Sequence, residues 1–128
     1  MTGNMGSFRI DVELESTTRP GARRTVRALL VETGSELSWI PADILESMGI
    51  ARLKALRFRQ ATGAIVERWT GVVMMYAAGS VTVDEVVFGQ PGDLALLGSR
   101  SLEGLNRVVD PIGKRLVDAG AMPAAVAA

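Results

Sequence analysis

A carboxylate stands at the end of an apolar run in Ala28-Leu29-Leu30-Val31-Glu32, and Thr33, Gly34 and Ser35 follow at once. A strand that is apolar on both faces passes through a core. The run therefore puts Glu32 at a strand terminus, beside a turn that Gly34 makes tight. A second run, Leu94-Ala95-Leu96-Leu97-Gly98, ends on glycine before a short helical segment. An apolar strand crossing under a loop, with glycine allowing close backbone approach, is the support a rigid site needs. The chain has no cysteine and no histidine. Disulfides, thiol nucleophiles and Ser-His-Asp triads are thereby excluded, and zinc loses its commonest ligands. Catalysis falls to carboxylates, hydroxyls, Lys54, Lys114, Tyr76 or arginines, which gives carboxylate acid–base chemistry added weight.

The elements that must hold these residues can be read from pattern. Phe8, Ile10, Val12 and Leu14 alternate with Arg9, Asp11, Glu13 and Glu15, which predicts a half-buried strand. Pro20-Gly21 centres a turn, and a second strand runs from about Thr25 to Glu32. Ser35 to Ile40 reads as a short extended or loop passage. Pro41 to Gly49 predicts a brief helix with Pro41 in its first turn, Gly49 at its stop, and Ile44, Leu45 and Met48 on its apolar face. A strand over Leu56 to Gln60, a turn at 61–64 and a strand from Ile65 to Tyr76 make a hairpin. Ala78-Gly79-Ser80 turns into a strand starting at Val81, and 89–93 is a loop. Leu94 to Gly98 is a short strand, and 99–105 a short helix burying Leu102 and Leu105. Two last strands flank Asp110-Pro111 and Gly113. Eight or nine short strands with two short helices predict an all-β barrel or sandwich.

The 128 residues suffice for one domain, and 48% of them are apolar, as a folded core requires. We expect residues 1–7 to be a flexible N-terminus, 8–118 the folded domain, and 119–128 a flexible tail. Net charge is zero and the basic residues are scattered, so neither nucleic acid nor a membrane surface is an expected partner. The first residues lack an apolar run of signal-peptide length, which makes a cytoplasmic location the expectation.

Over roughly residues 8 to 118 the sequence resembles the retropepsin-like aspartic proteases, the single-domain acid proteases of retroviruses and many bacteria. Two pieces carry the resemblance. One is Ala28 to Pro41, where that family has Asp-Thr-Gly followed by Ser or Ala. The other is Pro91 to Val117, with Leu96-Leu97-Gly98, Leu102-Glu103-Gly104-Leu105 and Val109-Asp110-Pro111 in series. The resemblance implies a closed acid-protease β-barrel and aspartic-type endopeptidase activity on a peptide or protein substrate. It implies no cofactor and no metal. It also implies a homodimer, because each chain supplies one carboxylate to a proton-sharing pair. In that reading Glu32 takes the catalytic position, with Thr33 bracing the loop across the dimer axis and Gly34 turning it. Ser35 would bond the outer carboxylate oxygen. Thr62, Gly63, Ala64 and Ile65 would belong to a substrate-covering flap. Leu97 and Gly98 would pack beneath the catalytic loop.

The chain departs from that family at Glu32, where the family has aspartate. The extra methylene moves the carboxyl by roughly 1.5 Å, against a tolerance of about 0.5 Å in catalytic constellations. Three outcomes stay open: an inactivated site, a site relaxed around glutamate that still hydrolyses peptides, and a non-catalytic dimeric peptide-binding homologue. A plain β-sandwich interaction domain is a more distant alternative.

Other residues have plainer readings. Asp110-Pro111 is expected to be a turn. Asp84 and Glu85 are expected to face solvent, and Arg57-Phe58-Arg59 to lie on a solvated strand face. Trp39 and Trp69 read as core or interface anchors, Met74 and Met75 as core filler.

Overall fold

A computed structural model describes residues 7–127. The expected flexible N-terminus falls, but for residue 7, outside them. Nine strands and two short helices occur among the described residues: β1 (Arg9–Glu15), β2 (Arg23–Val31), β3 (Ser38–Pro41), α1 (Ala42–Ser47), β4 (Lys54–Arg59), β5 (Ile65–Ala77), β6 (Ser80–Gly89), β7 (Leu96–Leu97), α2 (Ser99–Gly104), β8 (Arg107–Asp110) and β9 (Arg115–Asp118). No helix among them is long and apolar enough to cross a membrane.

Seven strands form one sheet in the order β1-β2-β7-β3-β6-β5-β4. A further pairing of β1 with β5, Glu13 opposite Tyr76 and Glu15 opposite Met74, closes the sheet on itself. This is the closed barrel that the strand spacing predicts, with β4 outside the ring and hydrogen-bonded to the first half of β5. Most pairs are antiparallel. The exceptions are β2 with β7 and β3 with β6, which are parallel. β8 and β9 form a separate hairpin.

Local chemistry explains the junctions. Ala78 and Gly79 both have positive φ, 50° and 74°, the conformation a two-residue turn needs to match strand twist between β5 and β6. α1 follows Pro41, whose ring presets a helical φ at the first turn. It stops at Gly49 with φ 71°. There the N–H of Ile50 reaches the Leu45 carbonyl and that of Gly49 the Glu46 carbonyl, which satisfies the last helical acceptors. Asp110 accepts the N–H groups of Ile112 and Gly113, which makes Asp110-Pro111 the turn its sequence suggests.

The barrel interior is one apolar cluster. Leu14, Leu29, Ile40, Leu45, Val73, Met75, Val86, Phe88, Leu97 and Leu105 are at its centre. Leu102 and Leu105 are buried as expected and join this cluster.

Three expectations are corrected. Asp84 and Glu85 do not face solvent. Asp84 is buried and hydrogen-bonds Ser101 of α2, while Glu85 accepts from the Thr70 hydroxyl at 2.7 Å and pairs with Lys54. Glu15, placed by alternation on a polar face, is also buried, because β1 is flanked by both β2 and β5. Its carboxylate takes the Tyr76 hydroxyl at 2.6 Å and the Gly21 N–H. Trp69 is no core anchor either: it is exposed on β5, under the Arg52 guanidinium.

Candidate functional site: the Glu32 loop and its groove

Val31 ends β2 in parallel register with Leu97 of β7. The next N–H, that of Glu32, donates to the Leu97 carbonyl at 2.9 Å. The Glu32 backbone is thus fixed to the barrel while its side chain is exposed. The loop then turns at once, with the Ser35 N–H donating to the Glu32 carbonyl at 3.3 Å. The Gly34 N–H donates to Glu32 Oε1 at 3.0 Å, so the longer side chain folds back on its own loop.

The far side of the loop is tied to α2. Ser99 and Arg100 donate their N–H groups to the carbonyls of Ser35 and Glu36, at 2.7 and 2.9 Å. Gly98 makes this approach possible. A Cβ there would lie 2.6 Å from the Leu37 carbonyl oxygen and 2.7 Å from that of Glu36, closer than real Cβ atoms come. Glu32, Gly34, Leu97 and Gly98 are therefore brought together in one chain. Thr33 lies exposed in the same loop. Ser35 departs from expectation: its hydroxyl donates to the Leu37 carbonyl at 2.8 Å, and Glu32 Oε1 is taken by Gly34 instead. The nearer carbonyl, two residues along the same turn, captures it.

A groove of about 380 Å³ begins at Ser35 and runs between the β4–β5 hairpin and the 90–96 segment. Trp39, Val66, Leu94 and Leu96 supply its apolar wall, and Gln60, Arg68 and Asp93 its polar edge. Two contacts hold the hairpin over it. Phe58 of β4 meets Trp39 edge to face, with ring centres 4.9 Å apart. Arg68 of β5 pairs with Asp93. That pairing, with Gln90 N–H as a further donor, holds the Asp93 carboxyl below its ordinary pKa; the Arg68 hydrogen bond is the largest cause.

The hairpin turn is where the sequence puts it. Gly63 has φ 91°, its N–H donates to the Gln60 carbonyl, and the Gln60 N–H donates to the Ala64 carbonyl. Thr62, Gly63 and Ala64 form this exposed tip and do not line the groove. Ile65 faces away from it, because strand alternation gives the groove Val66 and Arg68. The lining residues that sequence reading left out, Val66, Arg68, Asp93, Leu94 and Leu96, were partly accessible by parity: Val66 and Arg68 share a face with buried Thr70. Among the described residues no three acidic side chains gather in a way that could hold a metal ion.

No family model and no curated protein matches the sequence. Among solved structures, the chain is similar to the protease of simian foamy virus (mac), whose solution structure it matches with a TM-score of 0.50 at 15% identity. The match covers 74% of this chain and 91% of that one. At that identity the likeness speaks for the fold, and it agrees with the curled, closed sheet and the two short helices: the chain has a retropepsin-like fold.

Proposed function

We propose that this chain is an aspartic-type endopeptidase that works as a homodimer, with Glu32 of each copy in the catalytic pair. The observation that carries this reading is the exposed Glu32 side chain at the end of β2, where the backbone N–H is fixed to the Leu97 carbonyl, on a loop whose Ser35 lines a largely apolar groove. Acid–base hydrolysis of a peptide needs two carboxyls in opposite protonation states, and one chain supplies one. A second copy across a two-fold axis supplies the other. The ionised Glu32 takes a proton from water as its oxygen attacks the scissile carbonyl carbon. The protonated Glu32 gives its proton to the carbonyl oxygen. Collapse of the resulting diol breaks the C–N bond: one diol hydroxyl returns its proton to the Glu32 that gave one up, and the proton first taken from water goes to the leaving amine. No covalent enzyme intermediate is required. The hairpin tip at 60–64 serves as the flap, and Trp39, Val66, Leu94 and Leu96 receive an apolar substrate side chain.

The Gly34 N–H bond to Glu32 Oε1 favours a second reading, in which a carboxylate folded onto its own loop leaves the dimer able to bind peptides without cutting them.

The experiment is digestion of a broad peptide pool between about pH 4 and 7, the span in which such a pair shares a proton, with fragments read by mass spectrometry and dimer mass measured in parallel. Cleavage by the wild-type dimer that vanishes in Glu32→Gln is expected. Equal fragment patterns from the two proteins would overturn the peptidase reading. Binding of a pepstatin-like peptide with no cleavage would support the second one.

A further inference from the structure

Asp84 on β6 has 8% of its surface exposed, and the reaction above makes no use of it. Its carboxylate meets the Ser101 hydroxyl. The Ser101 hydroxyl meets that of Ser38, and Ser38 Oγ accepts the Gly98 N–H at 2.9 Å. Ser38 and Ser101 are both fully buried. The Gly98 N–H belongs to the same peptide group as the Leu97 carbonyl, which accepts the Glu32 N–H. A chain of hydrogen bonds therefore runs unbroken from Asp84 to the backbone of Glu32.

The donor inventory fixes its direction. An ionised carboxylate only accepts, so Ser101 donates to Asp84. Ser101 then accepts from Ser38, and Ser38 accepts from Gly98. Every link, including Glu32 N–H to Leu97, donates toward Asp84. Bonds aligned in this way polarise one another, most of all in a low-dielectric interior. Protonated Asp84 can donate to Ser101 and reverse the outer links. Ser38 Oγ then accepts from both Gly98 and Ser101, and its own proton has no acceptor in the chain.

Burial is the main cause that raises the Asp84 pKa, and the Glu85 charge adds to it, against the Ser101 hydrogen bond, the Glu85 backbone and the charge of Arg100. A folded pKa above the unfolded one means that stability falls as pH rises through that window. Fold stability alone does not account for a carboxylate here.

We propose that Asp84 is a positioning residue for Glu32, its charge setting the polarity of the hydrogen-bond chain that fixes the 32–36 loop against β7 and α2. This rests on Glu32 being the working carboxylate, although the chain itself is tested without substrate. The test is an NMR titration of the labelled full chain from about pH 3 to pH 8, a span that brackets a raised carboxyl pKa. The Gly98 amide is expected to shift with the same midpoint as the Asp84 carboxyl carbon. In Glu32→Gln, which removes the loop's own carboxylate, the amide of residue 32 is expected to follow that midpoint too. Ser101→Ala leaves Asp84 titrating and is expected to shrink the Gly98 response severalfold. Amides that stay flat while Asp84 titrates, or that respond equally in Ser101→Ala, would overturn the proposal. Asp84→Asn should abolish both responses; if it does not fold, the wild-type and Ser101→Ala titrations decide. Peptide cleavage is not read here, so failure of the peptidase reading leaves this result interpretable.

Discussion

Arg68 and Asp93 face each other through two hydrogen bonds, Nε to Oδ2 at 2.7 Å and Nη2 to Oδ1 at 2.9 Å. The pair joins the first half of β5 to the loop that walls the groove, and its side chains are only 19% and 18% exposed. Fully exposed pairs are worth less than about 1 kcal/mol. A two-pronged, partly buried one contributes more, so Arg68→Ala is expected to lower stability by about 1–3 kcal/mol in urea unfolding. Arg68→Lys should recover only part of this, since an ammonium lacks the planar fork. The sign with pH follows from Asp93, whose pKa is depressed chiefly by Arg68. A depressed folded pKa gives stability that is present above the unfolded value and lost as pH falls through the folded one. The gap between wild type and Arg68→Ala should be full near neutrality and narrow below about pH 4. A gap that ignores pH would show that the pair's charge does not matter.

Ala28 carries a left-handed backbone, φ 58°, within β2. The register explains it. Ile10 pairs with Leu29 but Val12 with Val26, so β2 holds one extra residue there. Asp11 accepts the Ala28 N–H at 2.8 Å and holds the bulge. A Cβ in this region costs roughly 1–2 kcal/mol, and glycine's extra freedom when unfolded offsets about half. Ala28→Gly is therefore expected to raise stability by about 0.5 kcal/mol. A loss of stability in denaturant titration would count against this account of the bulge.

Tyr76 is the chain's single tyrosine, so its phenol can be followed by absorbance without ambiguity. Its hydroxyl donates to Glu15, and the Arg23 guanidinium lies 3.6 Å over its ring. Donation to a carboxylate raises the phenol pKa first, burial second, with Arg23 opposing. The folded-state midpoint is expected above 10, the ordinary tyrosine value, and Glu15→Gln should bring it down. Because the folded pKa is raised, this contact stabilises fully below the unfolded pKa and fades as pH climbs through the folded one. A midpoint unchanged by Glu15→Gln would contradict the contact.

The barrel was legible because its signals are local. Alternation marks β1, Pro41 and Gly49 bracket α1, and Gly63 and Gly79 mark the two hairpin turns. β3 was only half visible, since Ser38 is buried by parallel pairing with Val86, which is remote in sequence. Asp84 was misread for the same reason: alternation says which face a residue takes, but not that Ser101 will cover that face. The Glu32 loop followed from its apolar strand and glycine. The groove did not, because Trp39, Val66, Arg68 and Leu94 meet only when β4 and β5 fold over the 90–96 segment.

Glu32→Asp tests the proposed chemistry most directly. Glutamate and aspartate differ by only a few tenths in reference pKa, so the exchange leaves acid strength nearly unchanged and alters reach. In this chain the extra methylene lets Oε1 accept from Gly34 N–H on its own loop. Aspartate withdraws the carboxyl by about 1.5 Å, toward the strand end that the Leu97 carbonyl fixes. A displacement of about 1 Å at a reacting group changes rate on the order of 100-fold. Glu32→Asp is expected to raise kcat/KM on a cleaved peptide by about that factor, mostly through kcat, since the groove that binds substrate is untouched. A dimeric, folded Glu32→Asp protein that cuts no faster than wild type would mean that the loop has already adapted to glutamate, and that reach does not limit the rate.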